Sequence, residues 1–321
     1  MEIDFDNFKV LVIGDIMLDR YLTGDISRIS PEAPVPVLDK VKIENKPGGA
    51  ANVALNIKSL GAMPLLLSIA GDDKNGVELI RLLEKNGIAT DNIITTKHKP
   101  TTVKTRIMSG GQHILRIDEE DNAPVNGDLI SRIKSKFAGI LENTKVDAII
   151  LQDYDKGMLT GNLIDFIISK AKEKGIFVSV DPKFNNFFSY KKVDLFKPNL
   201  KEISAALNRD VVPEIDSLIE ESGYLHEKLG FKYIFITLGE KGIFYYGNGE
   251  AGIVPTTPIK VVDVSGAGDV VLSVSTLAFL QGYPVREIVK LANLAGGLAC
   301  GIVGVATITK EQLQKIKNQK S

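Results

Sequence analysis

The strongest constraint on this chain is a repeated change of hydrophobic period. Short apolar, β-branched runs at residues 10–13, 65–70, 148–151, 177–180, 195–196 and 233–237 read as buried strands. Between them lie longer segments whose apolar residues recur every three or four positions. Leu129, Ile130, Ile133, Phe137, Ile140 and Leu141, for example, share one helical face. Strands alternating with amphipathic helices predict an α/β fold, a mostly parallel central sheet covered by helices on both faces. Two stretches depart from the rule. Residues 21–46 and 99–118 carry strand-type and turn residues without intervening helices, and predict a small antiparallel flap. In the first, Pro31, Pro34 and Pro36 read as a stiffened loop. In the second, Gly110-Gly111 lies between two strand-like runs, as a hairpin turn would.

Composition narrows the class. The 321 residues include 39 Lys+Arg against 40 Asp+Glu, a formal charge of -1, which supplies no single-sign field for coating a nucleic acid. At 44% hydrophobic and 25% charged the chain can bury a sizeable core and is far from the disordered class. The lone Cys300 excludes an intrachain disulfide and a multi-thiolate zinc site, and reads as a small buried residue. His98, His113 and His226 show no metal-ligand spacing. The acidic N-terminus does not resemble a signal peptide, and no run of about 18 uncharged apolar residues predicts a membrane span. The expectation is a cytoplasmic protein without membrane or nucleic-acid partners. It would be one domain over residues 1–321, with lid insertions near 18–46 and 99–118.

Several segments carry chemistry. In Asp263-Val264-Ser265-Gly266-Ala267-Gly268-Asp269, glycines open an apolar helix, so the N–H groups of Gly266, Ala267 and Gly268 could bind a phosphoryl group. Asp269 would then be a general base beside it. A glycine-rich helix cap has the same pattern. Gly48, Gly49 and Asn52 open a second helix, where small residues admit a ligand and the amide could hold a hydroxyl; tight packing explains them equally. Asp15 and Asp19 follow the first strand, at the sheet edge where such folds bind ligands, although turn aspartates are common there. Asn199-Leu200-Lys201-Glu202 begins a helix and presents Asn199 and Glu202 three residues apart, as water-mediated magnesium ligands or as an ordinary capping pair. Thr237 and Gly239 end a strand and could line a nucleotide, or simply form a turn.

Taken together and in this order, residues 47–61, Asn199–Glu202 and residues 263–269 resemble the two signatures and the magnesium motif of the ribokinase-like, or PfkB, carbohydrate kinases. The resemblance implies a three-layer αβα fold with a small β lid closing over the sugar, often pairing two subunits. It implies ATP and Mg2+ as cofactors, a monovalent cation in some relatives, and Asp269 as base. Residues 10–21 and 27–37 resemble the branch that phosphorylates heptose 7-phosphate on the route to ADP-heptose and lipopolysaccharide core. A phosphorylated sugar needs cations at its far end, for which Arg106, Lys156 and Lys183, and less directly Arg28, are the candidates. Relatives in that branch often carry a second, nucleotidyltransferase domain. The expectation is the kinase half alone, with a separate adenylyltransferase in the same pathway. A silent sugar-phosphate sensor and a kinase for another sugar or a nucleoside are the alternatives.

Overall fold

A computed structural model of the protein describes residues 2–256, 261–302, 304 and 307–320. Strand β1 (Lys9–Gly14) is buried from Val10 onward. Its side chains alternate between two apolar cores, Val10 and Val12 in one, Leu11 and Ile13 in the other. That is the pattern of a strand covered on both faces. There follow β2 (Ile16–Ile29), β3 (Pro36–Gly49), α1 (Ala50–Ser59), β4 (Met63–Gly71), α2 (Lys74–Lys85), β5 (Ile93–Thr96), β6 (Thr102–Ser109) and β7 (Gln112–Glu119). The next elements are α3 (Gly127–Asn143), β8 (Ala148–Gln152), α4 (Gly161–Glu173), β9 (Phe177–Asp181), β10 (Leu195–Phe196), α5 (Leu200–Leu207) and α6 (Ile215–Leu229). The chain closes with β11 (Tyr233–Thr237), β12 (Ile243–Gly247), β13 (Glu250–Val254), α7 (Ala267–Leu280), α8 (Val285–Cys300) and α9 (Lys310–Lys320).

Nine strands form one sheet in the order β13-β12-β11-β10-β9-β8-β1-β4-β5. It is parallel from β5 to β11, with β12 and β13 added antiparallel at one edge. Helices α1, α2, α7, α8 and α9 pack one face, and α3 to α6 the other. The expected αβα layers are therefore present. Because β1 pairs β4 on one side and β8 on the other, the strand order reverses at β1. Open α/β sheets bind ligands outside the carboxyl ends of their strands at such a reversal.

The lid is a second sheet of order β3-β2-β6-β7. It differs from the expected flap in one respect: β2 and β6 run parallel, Met17 opposite Thr102 and Tyr21 opposite Arg106. The chain leaves the lid through α1, β4, α2 and β5 before β6 enters it, and that excursion returns the strand in the direction of β2. Pro31 and Pro34 are in the loop joining β2 to β3, Pro36 opens β3, and Gly110-Gly111, both with positive φ, turn β6 into β7. Strand β3 reaches Gly49, so the glycine pair is the end of a lid strand as well as the start of α1. Cys300 is half-buried at the end of α8. No helix among the described residues is long and apolar enough to cross a membrane.

Candidate active site

The carboxyl ends of β1, β8 and β9 converge with the first turns of α1 and α7. Asp269 is in that turn of α7, which Gly266 begins at φ 80°, a conformation that favours glycine. The loop before it is pinned by Asp263, whose carboxylate accepts the Ser265 N–H at 2.9 Å and the Gly304 N–H at 2.9 Å. Of the three N–H groups expected to face a phosphoryl group, that of Ala267 turns back to the Val264 carbonyl at 3.3 Å. It closes the turn instead of facing outward. The N–H groups of Gly268 and Asp269 lie in the first helical turn, where an α-helix offers no internal acceptor.

Asp269 is 4% exposed. Its Oδ2 accepts the Asn52 amide at 2.6 Å, and its Oδ1 accepts the Tyr154 hydroxyl at 2.9 Å and the Gln152 amide at 3.2 Å. Burial pushes its pKa up to about 6, the Asn52 hydrogen bond opposes that, and nearby Asp181 adds to it. A carboxylate titrating there is charged at neutral pH yet basic enough to accept a proton. Asn52, expected to hold a sugar hydroxyl, donates its amide to the Asp269 carboxylate.

Asp15 also has its pKa raised to about 6, by burial and then by Asp153. Its carboxylate accepts the N–H groups of Tyr154 at 3.0 Å, Lys156 at 3.1 Å and Met158 at 3.3 Å. It ties down the loop after β8. Asp19 is on β2 and ion-pairs with Arg106 of β6, so the two candidates meet each other across the lid. Gly48 and Gly49 are buried; a Cβ at Gly48 would stand 2.0 Å from the Asp19 carboxylate, and one at Gly49 2.3 Å from the Asp15 carbonyl. Close packing of lid and helix, the blander of the two expectations, accounts for both glycines.

The remaining candidate cations are also paired. Lys156 bonds Glu120 at 2.8 Å and Asn122 at 3.1 Å. Lys183 ion-pairs with Glu202; burial works against its charge, but Asp181 and Glu202 hold its pKa above the ordinary value. Lys183 therefore faces the carboxylates around Asp269. Arg28 pairs with Asp39 at 3.5 Å on the exposed lid.

Asn199 and Glu202 form a capping box. Asn199 Oδ1 accepts the Glu202 N–H at 2.9 Å, and Glu202 Oε2 accepts the Asn199 N–H at 2.7 Å. The amide oxygen accepts the helix-start N–H, so the capping pair, one of the two expected readings, is present. Glu202 Oε1, engaged by Lys183, is the atom a hydrated cation could reach. Leu200 is half-buried and Lys201 exposed. Thr237 bridges to Asn199 at the end of β11, and Gly239 is exposed in the turn that follows, so both stand on the rim beside the capping box.

Four polar residues at this centre carried no role in the sequence reading: Gln152, Tyr154, Asp181 and Lys197. Lys197 is 2% exposed and pairs Asp181 at 3.1 Å; a Cβ at Gly268 would lie 3.6 Å from its Nζ. The pair therefore underlies the glycine turn. The available signal was position, because each of the four ends a parallel strand or lies within two residues of its end.

Residues 7–312 match the family described as pfkB family carbohydrate kinase. Among curated proteins, the chain is 37% identical over 304 residues to the bifunctional protein HldE of Pelobacter propionicus, covering 94% of this chain and 62% of that protein. It is 37% identical over 311 residues to HldE of Helicobacter pylori, covering 97% and 66%. The chain thus spans a little under two thirds of the relatives it matches. Among solved structures, phosphofructokinase-2 of Escherichia coli in complex with potassium has a TM-score of 0.78 at 21% identity, covering 97% of this chain and 98% of that one. Ribokinase of Thermotoga maritima has a TM-score of 0.73 at 23% identity, covering 97% and 99%. With the family match running through both glycine motifs and the capping box, this chain belongs to the PfkB family of carbohydrate kinases.

Proposed function

We propose that this kinase transfers the γ-phosphoryl group of ATP to the anomeric hydroxyl of D-glycero-β-D-manno-heptose 7-phosphate, giving the 1,7-bisphosphate. The observation that carries the reading is the buried Asp269 carboxylate, charged at neutral pH beside the glycine turn. The HldE relatives support the heptose. Phosphoryl transfer passes through a loose transition state, so positioning and charge stabilisation dominate. Asp269 accepts the hydroxyl proton, and the Gly266 and Gly268 N–H groups of the turn, without that of Ala267, stabilise the transferring group. Lys183 and Lys197 add positive charge on the same side. Magnesium, when bound, neutralises phosphate charge. The donor set fits a hydrated ion reached by Glu202 rather than one ligated directly by Asn199. Asp15 and Asp19 line the sugar side, with Arg106 and Lys156 as the cations for the 7-phosphate. A bound monovalent cation is part of this reading, supported by the potassium complex of the fold neighbour.

The chain is proposed to form one kinase unit acting in the cytoplasm, with an adenylyltransferase activity following it. The lid supports a homodimer: Ile29, Ile43, Leu115 and Ile117 are exposed on β2, β3 and β7, and β3 and β7 are open edges. Turnover of heptose 7-phosphate, fructose 6-phosphate and ribose measured side by side tests the substrate. The heptose is expected to give the highest kcat/KM, and preference for an unphosphorylated sugar overturns the assignment. Asp269→Asn is expected to lose about 10²–10⁴-fold in kcat.

A further inference from the structure

Tyr154 joins the two sides of the site. Its backbone N–H donates to Asp15 Oδ2 at 3.0 Å, and its hydroxyl donates to Asp269 Oδ1 at 2.9 Å. The same Oδ1 accepts the Gln152 amide at 3.2 Å. A carboxylate oxygen has two lone-pair sites, so two donors fill Oδ1. Among the described residues, Oδ2 accepts only the Asn52 amide, at 2.6 Å. One acceptor site of the base is left, and it is on Oδ2.

The geometry points to Tyr154 and Gln152 as positioning residues that close Oδ1 and make Oδ2 the oxygen that takes the substrate proton. This inference rests on Asp269 being the base of the kinase reaction. In the step, the acceptor O–H proton moves to Oδ2 as the new O–P bond forms, the bond between the γ-phosphorus and its bridging oxygen breaks, and ADP leaves with that electron pair. Neither positioning residue needs to touch the sugar. Both act by stabilising the charged carboxylate and fixing its rotation, because a donor bonded to the anion favours the anion. The other charged groups facing Asp269 are Asp181 from the end of β9, Lys197 after β10 and Lys183 after β9. None of them is altered in the test variants. Lys183 also lies over the Tyr154 ring, 5.7 Å from its centre, which helps to fix the phenol.

The test is the titration of the Asp269 carboxyl in the full chain, followed by 13C NMR of protein labelled at aspartate Cγ, with the resonance assigned by its loss in Asp269→Asn. Tyr154→Phe retains the ring and deletes one donor; Gln152→Met deletes the other. Each is expected to raise the midpoint by about one unit, as loss of a single hydrogen bond to an anion does. The acid limb of kcat should move to higher pH by the same amount, with KM for ATP unchanged. A midpoint unmoved in a folded Tyr154→Phe or Gln152→Met variant overturns the inference. The titration needs no substrate, so a wild-type protein inactive on every sugar would overturn the proposed function and leave this result to be read separately.

Discussion

The Asn52 amide donates to Asp269 Oδ2 at 2.6 Å, linking residues 217 positions apart. Each is in the first turn of its helix, and neither is accessible to solvent to any useful extent. The two glycine motifs therefore meet through a hydrogen bond as well as through a shared ligand space. Asn52→Leu keeps the volume and removes the donor, leaving a buried carboxylate oxygen without it, a cost of about 1–3 kcal/mol. The charged base becomes scarcer. At pH 7, kcat should fall by up to about 10-fold and recover in part by pH 8 to 9, as a pH–kcat series will show.

The raised pKa values of Asp269 and Asp15 set a direction for stability. Both carboxyls rise from 3.8 in the unfolded chain to about 6 in the folded one, so between these pH values the folded state binds more protons. Stability from these groups is full below about pH 4 and is lost as pH rises through about 6. Asp269→Asn removes one of the two. Comparing Tm of wild type and variant from pH 4 to 7, the wild type should lose ground steadily to the variant as pH rises. A constant difference would show that the Asp269 pKa is ordinary.

The alternation of buried strands and amphipathic helices, and the helix opening at Gly266, are local patterns and were legible residue by residue. What escaped was set by distance in the chain. Asp19 and Arg106 were both singled out, but their pairing across 87 residues depends on β6 running parallel to β2, which no local period encodes. Lys183 and Glu202 are assigned to opposite ends of the substrates by sequence, yet they form one ion pair. Asn199 was legible as either a water-mediated ligand or a cap, and the helix-start geometry shows that the cap is made. Tyr154 and Gln152 lay at a strand end already marked as important, but neither residue type signals a base-positioning role by itself.

Lys156 gives a paired prediction. Its Nζ is held by Glu120 at 2.8 Å, and a 7-phosphate would compete with that carboxylate. Lys156→Ala should raise KM for heptose 7-phosphate by about 10–100-fold, the worth of a charge-assisted hydrogen bond, with a smaller effect on kcat. Glu120→Gln weakens the competitor and should lower the same KM. Kinetics with unphosphorylated heptose should respond to neither change. If they respond equally, Lys156 acts on the fold rather than on the phosphate.

Asn199 and Glu202 can be separated by two readouts. Asn199→Ala deletes the oxygen that accepts the Glu202 N–H, which costs about 1 kcal/mol and lowers Tm by about 1–3 °C in a chain of this size. Because that oxygen faces its own helix, the magnesium concentration for half-maximal activity should not change. Glu202→Gln retains an oxygen for the Asn199 N–H and removes the charge opposite Lys183. It should raise the magnesium requirement by several-fold, since a neutral amide attracts a hydrated divalent cation far less than a carboxylate does. A magnesium requirement raised by Asn199→Ala at unchanged Tm would restore Asn199 as a ligand and place the capping box second.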